Sequence, residues 1–265
     1  AMLRRVTDII GFEIVARDEE TGKLDEAGKI TDLYFEEENW TVRYAVVDTG
    51  GWLTGRKVLI SPTSFLPLVW EKKVIPVELT KRQIENSPDV DLAQTVSQQA
   101  LAELHAYYGW PAYWAGSVPM GSAHAGAYTA PAAAQEYARG EDRAPVTRPE
   151  REEWQPHLHS AREVIGYGIR AEDGGIGNAS DLFVEEESWI IRYLLVDTQP
   201  WWPGKHVIVS VDWVTGLDWA EGEFQVNVTK DKIRNSPEYD PREPISRRYE
   251  QDIHEYYGVP GYWMW

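Results

Sequence analysis

Cysteine is missing altogether from these 265 residues, which excludes disulfides, iron–sulfur clusters, thiolate zinc sites and thiol nucleophiles. Basic residues are scarce: 26 Lys and Arg stand against 43 Asp and Glu, for a net charge of −17 and a pI near 4.8. Binding to nucleic acid needs a basic patch that releases counterions, so this balance argues against a nucleic-acid partner and equally against an anionic membrane surface. No run approaches the roughly 18 apolar residues of a membrane-spanning helix, so any membrane association is expected to go through a protein partner. The first residues lack the apolar stretch of a secretory signal, and the expected location is cytoplasmic. Also absent are a Gly-rich phosphate loop ending in Lys-Ser/Thr, a Gly-x-Ser-x-Gly elbow and a His-Glu-x-x-His pair. No cofactor, metal ligand or catalytic residue is assigned on this basis.

What the chain does have is a long internal repeat. Residues 28–114 recur without a gap 149 positions on, at 177–263, with roughly four residues in ten identical. Shared signposts include Asp32-Leu33 and Asp181-Leu182, the glutamate triplets 36–38 and 185–187, Arg43-Tyr44 and Arg192-Tyr193, and the endings Tyr107-Tyr108-Gly109 and Tyr256-Tyr257-Gly258. A repeat of this length is a domain rather than a solenoid unit, and the total length suits two domains of about 100 residues each.

Each copy reads as short strands followed by helix. Val, Ile, Tyr and Phe dominate residues 11–17, 29–35, 40–48, 57–61 and 74–79, with Gly, Asp, Asn and Pro between them, the rhythm of a small barrel or sandwich. The third of these strands is apolar on both faces at its end (Ala45, Val46, Val47; Leu194, Leu195, Val196). A sheet covered on one face alternates, so the helical tail or the other copy must cover the outside. Thr80 and Thr229 suit N-caps of short helices at 81–86 and 230–235, and longer helices are expected at 97–108 and 246–257, ended by Gly109 and Gly258. The domains are placed at 1–114 and 161–265, and the Ala/Gly/Pro-rich then charged stretch 115–160 is read as a connector.

Gly28-Lys29-Ile30-x-Asp32-Leu33-x-Phe35, the acidic turn, Trp40-x-x-Arg43-Tyr44-x-x-Val47-Asp48 and Lys57-Val58-Leu59-Ile60-Ser61-Pro62 together resemble the PRC-barrel family. That family includes the cytoplasmic barrel of the photosynthetic reaction-centre H subunit and a ribosome-maturation factor. The 80–88 segment and the Tyr-Tyr-Gly tail look like the H-subunit branch. The resemblance implies two tandem all-β PRC-type barrels with small helical additions, pseudo-twofold related. It implies a protein-binding or electrostatic-tuning role. The chain departs from the H subunit in having no membrane-spanning stretch, and from the ribosomal factor in its acidity.

Several residues could carry chemistry, and each has a structural reading beside it. The triplets Glu36–Glu38 and Glu185–Glu187 could hold a divalent cation, but adjacent side chains on a turn point apart, and a solvated hairpin tip is the better reading. With a turn at 36–39, Asp32 lies opposite Arg43, and Asp181 opposite Arg192, as cross-strand ion pairs; a tighter turn places Arg43 against Tyr34 instead. His105 and His254, the histidines shared by both copies, read as packed or capping residues at an aromatic helix end. His157 and His159 form a His-x-His pair in the connector with no further ligand. The 13 tryptophans and 14 tyrosines crowd the endings, with Tyr107, Tyr108, Trp114, Tyr256, Tyr257 and Trp263 as structural or interface candidates, joined by Trp52, Trp201 and Trp202 in loops. The tails are expected to roof their own barrel, to join barrels or chains, or both; carbohydrate stacking on the loop tryptophans is the lesser alternative.

The expected function is a non-enzymatic structural or protein-interaction module that binds a protein partner or itself. The alternatives are a soluble electron-transfer accessory resembling the H subunit, and a metal-dependent hydrolase using the glutamate triplets or the histidines.

Overall fold

The computed structural model describes residues 2–53, 55–92, 96–115, 157–199 and 204–264. The first half contains β1 (Leu3–Arg5), the helical turn α1 (Val6–Ile9), β2 (Glu13–Arg17), β3 (Leu24–Glu36), β4 (Thr41–Asp48), β5 (Lys57–Ile60), β6 (Val74–Thr80), α2 (Lys81–Glu85) and α3 (Gln98–Tyr108). The second half follows with β7 (Leu158–Ser160), α4 (Ala161–Val164), β8 (Gly168–Ala171), β9 (Gly174–Glu185), β10 (Ile191–Asp197) and β11 (His206–Ser210). It ends with β12 (Val214–Asp218), β13 (Glu223–Val226), α5 (Lys230–Arg234) and α6 (Arg247–Tyr257). The chain is thus mostly β with few helices.

Two mixed sheets result, with strand orders β5-β4-β3-β2-β6 and β11-β10-β9-β8-β13-β12. The β2–β6 and β8–β13 pairs are parallel and the other ladders antiparallel. Both strand orders are open paths, and no ladder among the described residues joins their ends into a closed barrel. Close approach of β3 to β4 depends on Gly28, whose φ of +145° is open to glycine and where a Cβ would collide with the Asp48 carbonyl; Gly177, at φ +140°, does the same against Asp197.

Burial explains the doubly apolar strand. One face of β4 joins the core with Ile14, Ile30, Leu33, Phe35 and Ile75, while Tyr44 and Val46 on the other face pack with Leu59 against Leu101 and Leu104 of α3. The tail of the same half is therefore the cover. Its helix is held at both ends: the Ser97 hydroxyl accepts from the Ala100 N–H, and Gly109 closes it at φ +72°. Ser246 and Gly258 repeat the arrangement on α6. Thr80 forms a full capping box with Gln83 at α2.

The N-terminal strand of each half lies on the sheet of the other. β3 and β9 are long: β2 pairs only with residues 24–29 of β3, and β8 only with 174–178 of β9. The remaining edge would expose unpaired backbone groups. β7 covers it on β3 (Tyr34↔Ser160, Phe35↔His159, Glu36↔Leu158), and β1 covers it on β9 (Arg5↔Phe183, Arg4↔Val184, Leu3↔Glu185). Residues 158–160 therefore belong to a sheet of the first half and not to a connector, which corrects the expected boundary at 160. Their relation to residues 3–5 was hidden because the β8–β9 turn is shorter than the β2–β3 turn, which puts the two halves out of phase before Gly28 and Gly177.

Candidate functional site

The polar residues singled out in the sequence converge on the seam made by this strand exchange. Asp32 does not face Arg43. Bulges between Ile30 and Asp32 and between Tyr34 and Phe35 shift the register, setting Asp32 against Val46 and Tyr34 against Tyr44. Both readings of the hairpin turn are thereby corrected, and the same holds for Asp181, which lies opposite Leu195. Asp32 instead accepts from the Ser160 hydroxyl and, at 3.1 Å, from the Arg162 N–H of the other half. Asp181 accepts from the Thr7 hydroxyl and, at 3.3 Å, from the Thr7 N–H. Each aspartate thus holds the start of the other half's first helical turn. Burial pushes both carboxyls above their ordinary range, against the pull of these donors.

The glutamate triplets do not form a fully solvated tip. Glu36 and Glu185 are only 6% and 7% exposed, because each ends a strand and takes the charge of the arginine across the hairpin. Arg43 reaches Glu36 at 2.5 Å and Arg192 reaches Glu185 at 2.6 Å. The guanidinium planes also lie over the Tyr113 and Tyr262 rings, each at 4.1 Å. Burial works against ionisation of Glu185, yet the Ser188 hydroxyl and the Arg192 guanidinium outweigh it and hold its carboxyl below the ordinary range. The second glutamate of each triplet crosses the seam. Glu186 takes Arg4 at 3.1 Å and the Trp70 indole N–H at 3.0 Å, with Arg4 over the Trp70 ring. Glu37 takes His159 at 3.1 Å, and that imidazole stacks on Trp219 at 3.9 Å. Glu38 is exposed. His159 is therefore a seam residue in β7 rather than part of a connector. Burial lowers its proton affinity in spite of Glu37.

At the centre of the seam the hairpin turns meet. Trp40 and Trp189 both adopt the left-handed conformation at φ 57°. Their carbonyls accept from the Ile191 and Val42 N–H groups of the opposite half, each at 2.8 Å. Thr41 and Ile190, at the same place in the repeat, form an antiparallel bridge. Phe35 stacks on Trp40, while Phe65 packs edge-on against Trp189 and Trp40 approaches Phe224.

The aromatic tails form a second cluster on each half. The His105 ring is held from both sides: its Nδ1 lies 3.0 Å from the Pro111 carbonyl and its Nε2 2.6 Å from the Tyr44 hydroxyl. A carbonyl only accepts, so Nδ1 carries the proton and Nε2 accepts from the phenol. His254 repeats this with Pro260 at 3.1 Å and Tyr193 at 2.8 Å. Burial keeps both imidazoles neutral-leaning and pushes the Tyr44 and Tyr193 phenols far up. Trp114 and Trp263 rest edge-on against these histidines, at 4.7 and 4.9 Å. Tyr107 and Tyr256 donate to the Gln83 and Lys232 carbonyls, both at 2.8 Å, tying each tail to its own short helix. Tyr108 and Tyr257 lie on Trp110 and Trp213. Trp201 and Trp202 lie outside the described residues, as does the side chain of Trp52.

The second tail holds a charged group the first lacks. Glu250 stands where the first half has Leu101. It accepts from Tyr262 at 2.9 Å, pairs with Arg247 at 3.0 Å, and lies 3.1 Å from the Tyr193 hydroxyl, whose single proton it shares with His254. Burial raises its carboxyl above the ordinary range even so. Sequence reasoning missed Tyr44 and Tyr193 as partners of the histidines, Glu250, and the seam residues Arg4, Trp40, Trp70 and their counterparts. A glutamate at a helix position that is leucine in the other copy was the available signal for Glu250.

A PRC-barrel domain is found at residues 3–84, from β1 to α2. Over 73 residues the chain is 36% identical to an uncharacterised protein of Deinococcus radiodurans, a stretch that covers 28% of this chain and 25% of that protein. The match thus spans about a quarter of that relative's length. Among the described residues no helix is long and apolar enough to cross a membrane, and no three His, Asp or Glu side chains are grouped to hold a metal ion.

Proposed function

We propose that this chain is a non-catalytic protein-interaction module, made of two tandem PRC-type barrels that form a pseudo-twofold pair and act in the cytoplasm. The observation that carries the reading is the reciprocal seam. Each half supplies to the other a strand, a hydroxyl and a basic side chain laid on a tryptophan, Arg4 from the first and His159 from the second. Groups that catalysis would need free are engaged there: Asp32 and Asp181 by the other half's helical turn, Glu36 and Glu185 by arginine. His105 and His254 are fixed between a phenol and a carbonyl, so neither can act as a general base without first dismantling its tail. Main-chain pairing at an exposed strand edge is a general mode of protein recognition, and this fold already uses it internally.

The test is capture of the tagged full chain from its native host under rising salt, with the eluate analysed by native mass spectrometry. A protein retained in fixed stoichiometry at high salt supports the reading. A stoichiometric divalent metal or bound small molecule, with no protein retained, overturns it in favour of a catalytic role.

A further inference from the structure

The seam has a property that a fixed domain interface need not have: its two sides offer groups of matching kind. At its centre, Thr41 meets Ile190, its own counterpart in the repeat, and the flanking Trp40 and Trp189 carbonyls accept equal bonds from the Ile191 and Val42 N–H groups. This is the signature of an isologous contact, in which one surface is complementary to itself. The outer ladders are main-chain pairings of β1 on β9 and β7 on β3, which depend little on side-chain identity.

The side-chain pairs keep the same logic. A hydroxyl, Thr7 or Ser160, faces an aspartate, Asp181 or Asp32. A cation or imidazole, Arg4 or His159, faces a glutamate, Glu186 or Glu37, and lies on a tryptophan, Trp70 or Trp219. The knob offered to each opposing aromatic wall is a tryptophan in both directions, Trp40 toward Phe224 and Trp189 toward Phe65. If the first half met another first half, Arg4 would face Glu37 and Thr7 would face Asp32. If the second met a second, His159 would face Glu186 and Ser160 would face Asp181. Neither pairing sets like charges together or leaves a carboxylate against an apolar wall.

We propose that the seam pairs like halves of different chains, so that the first half of one copy docks on the first half of a second copy and the second halves do likewise, linking chains. This rests on the reading of the chain as a protein-interaction module and names a second copy of the chain as its partner. Within one chain the second half is tethered to the first, so the closed monomer prevails when dilute. Chains that fold at high concentration are joined.

The lack of cysteine allows a clean test on the full chain. In the closed monomer residue 5 lies beside 183 and residue 34 beside 160, so Arg5→Cys with Tyr34→Cys cannot bridge within one molecule. Between two like first halves, residue 5 of one chain lies beside residue 34 of the other. Tyr34→Cys with Ser160→Cys is the reference pair and closes within the monomer. Both variants and the single-cysteine controls are refolded by dilution, oxidised and run on non-reducing gels. The expected result is a disulfide-linked dimer of the Arg5→Cys/Tyr34→Cys chain whose share rises about tenfold between refolding at ~10 and ~100 μM, in proportion to concentration. Sedimentation of the unmodified chain refolded at the same concentrations is expected to show the matching dimer. The proposal is overturned if the reference pair closes while the reporter pair forms no more dimer than the single-cysteine controls. If the reference pair fails to close in a folded chain, the seam itself is wrong, and both the proposal and the functional reading built on it fall.

Discussion

In the first half Trp110 lies flat on Tyr108 at 4.3 Å, with its indole N–H on the Ser64 hydroxyl at 2.7 Å. In the second half the same space is filled from the opposite side. Val259 replaces Trp110, Trp213 replaces Ser64, and Trp213 lies on Tyr257 at 4.0 Å. One tryptophan roofs the tail tyrosine in each copy, but from different elements. Under the adjacent helix the copies diverge in polarity rather than volume, with Leu101 apolar in one and Glu250 charged in the other. What the comparison teaches is that the fold fixes a quantity of filled space and leaves open which residue supplies it.

The largest expected effect breaks this exchange. Trp213→Ser gives the second half the first half's small residue without its compensating tryptophan. It is expected to cost ~3–5 kcal/mol, the range for emptying a buried aromatic site. Adding Val259→Trp is expected to recover more than half of that loss by denaturant unfolding, because the first half shows this pairing packs. A double variant no more stable than the single one would show that the two tails enclose different space.

Next comes the charged network. Glu250→Leu leaves Arg247 and the Tyr262 hydroxyl without their acceptor, while Tyr193 keeps His254, and is expected to cost ~1–3 kcal/mol. Joining it with Arg247→Gln, which gives both first-half residues, is expected to return the second tail close to its starting stability, since an apolar substitute for a buried ion pair is often neutral. The same group has a pH signature. Its carboxyl is held above the ordinary 4.5, mainly by burial, so the folded chain keeps a proton that the unfolded chain releases. Stability supplied by that proton is present below about 4.5 and is lost as pH rises toward the folded value. Compared with Glu250→Gln, the unmodified protein is therefore expected to lose stability as pH climbs from 4.5, and a parallel pair of curves would exclude Glu250 as the group that titrates.

A smaller effect separates roofing from association. Trp114 and Trp263 are half-buried against the histidines of their own halves. Trp114→Ala and Trp263→Ala are expected to lower stability by ~1–2 kcal/mol each, less than a fully buried tryptophan, with no change in sedimentation. A shift in association state without loss of stability would move the tails from roof to interface.

The repeat made the succession of strands, both pairs of helices and the capping residues legible, because period, punctuation and N-caps are local signals. The doubly apolar end of β4 correctly demanded a cover. The seam was not legible, for a physical reason. Register depends on bulges, and a bulge leaves no residue signature here, so Asp32 was set against Arg43 when the backbone offers it Ser160 and Arg162. Strand exchange is also non-local: β1 and β7 are three residues each and alternate no more clearly than a loop. The partners of His105 and His254 lie 61 positions upstream, at a spacing that helical or strand periodicity does not report.

The smallest effect lies in an electrostatic asymmetry of the seam. Arg4 is a permanent cation on Trp70 and Glu186, whereas His159 on Trp219 and Glu37 is drawn toward the neutral form by burial. His159→Arg makes the second contact a copy of the first. Near neutral pH it adds a full charge-assisted pair and a cation–π contact at a partly exposed site, which is worth ~0.5–1 kcal/mol. The gain is expected to shrink in acid, because protonation of His159 below its ordinary value of 6.5 supplies the same charge. A gain that is equal at pH 5 and pH 8 would mean that Glu37 already holds this imidazole charged, and that the two sides of the seam are electrostatically alike.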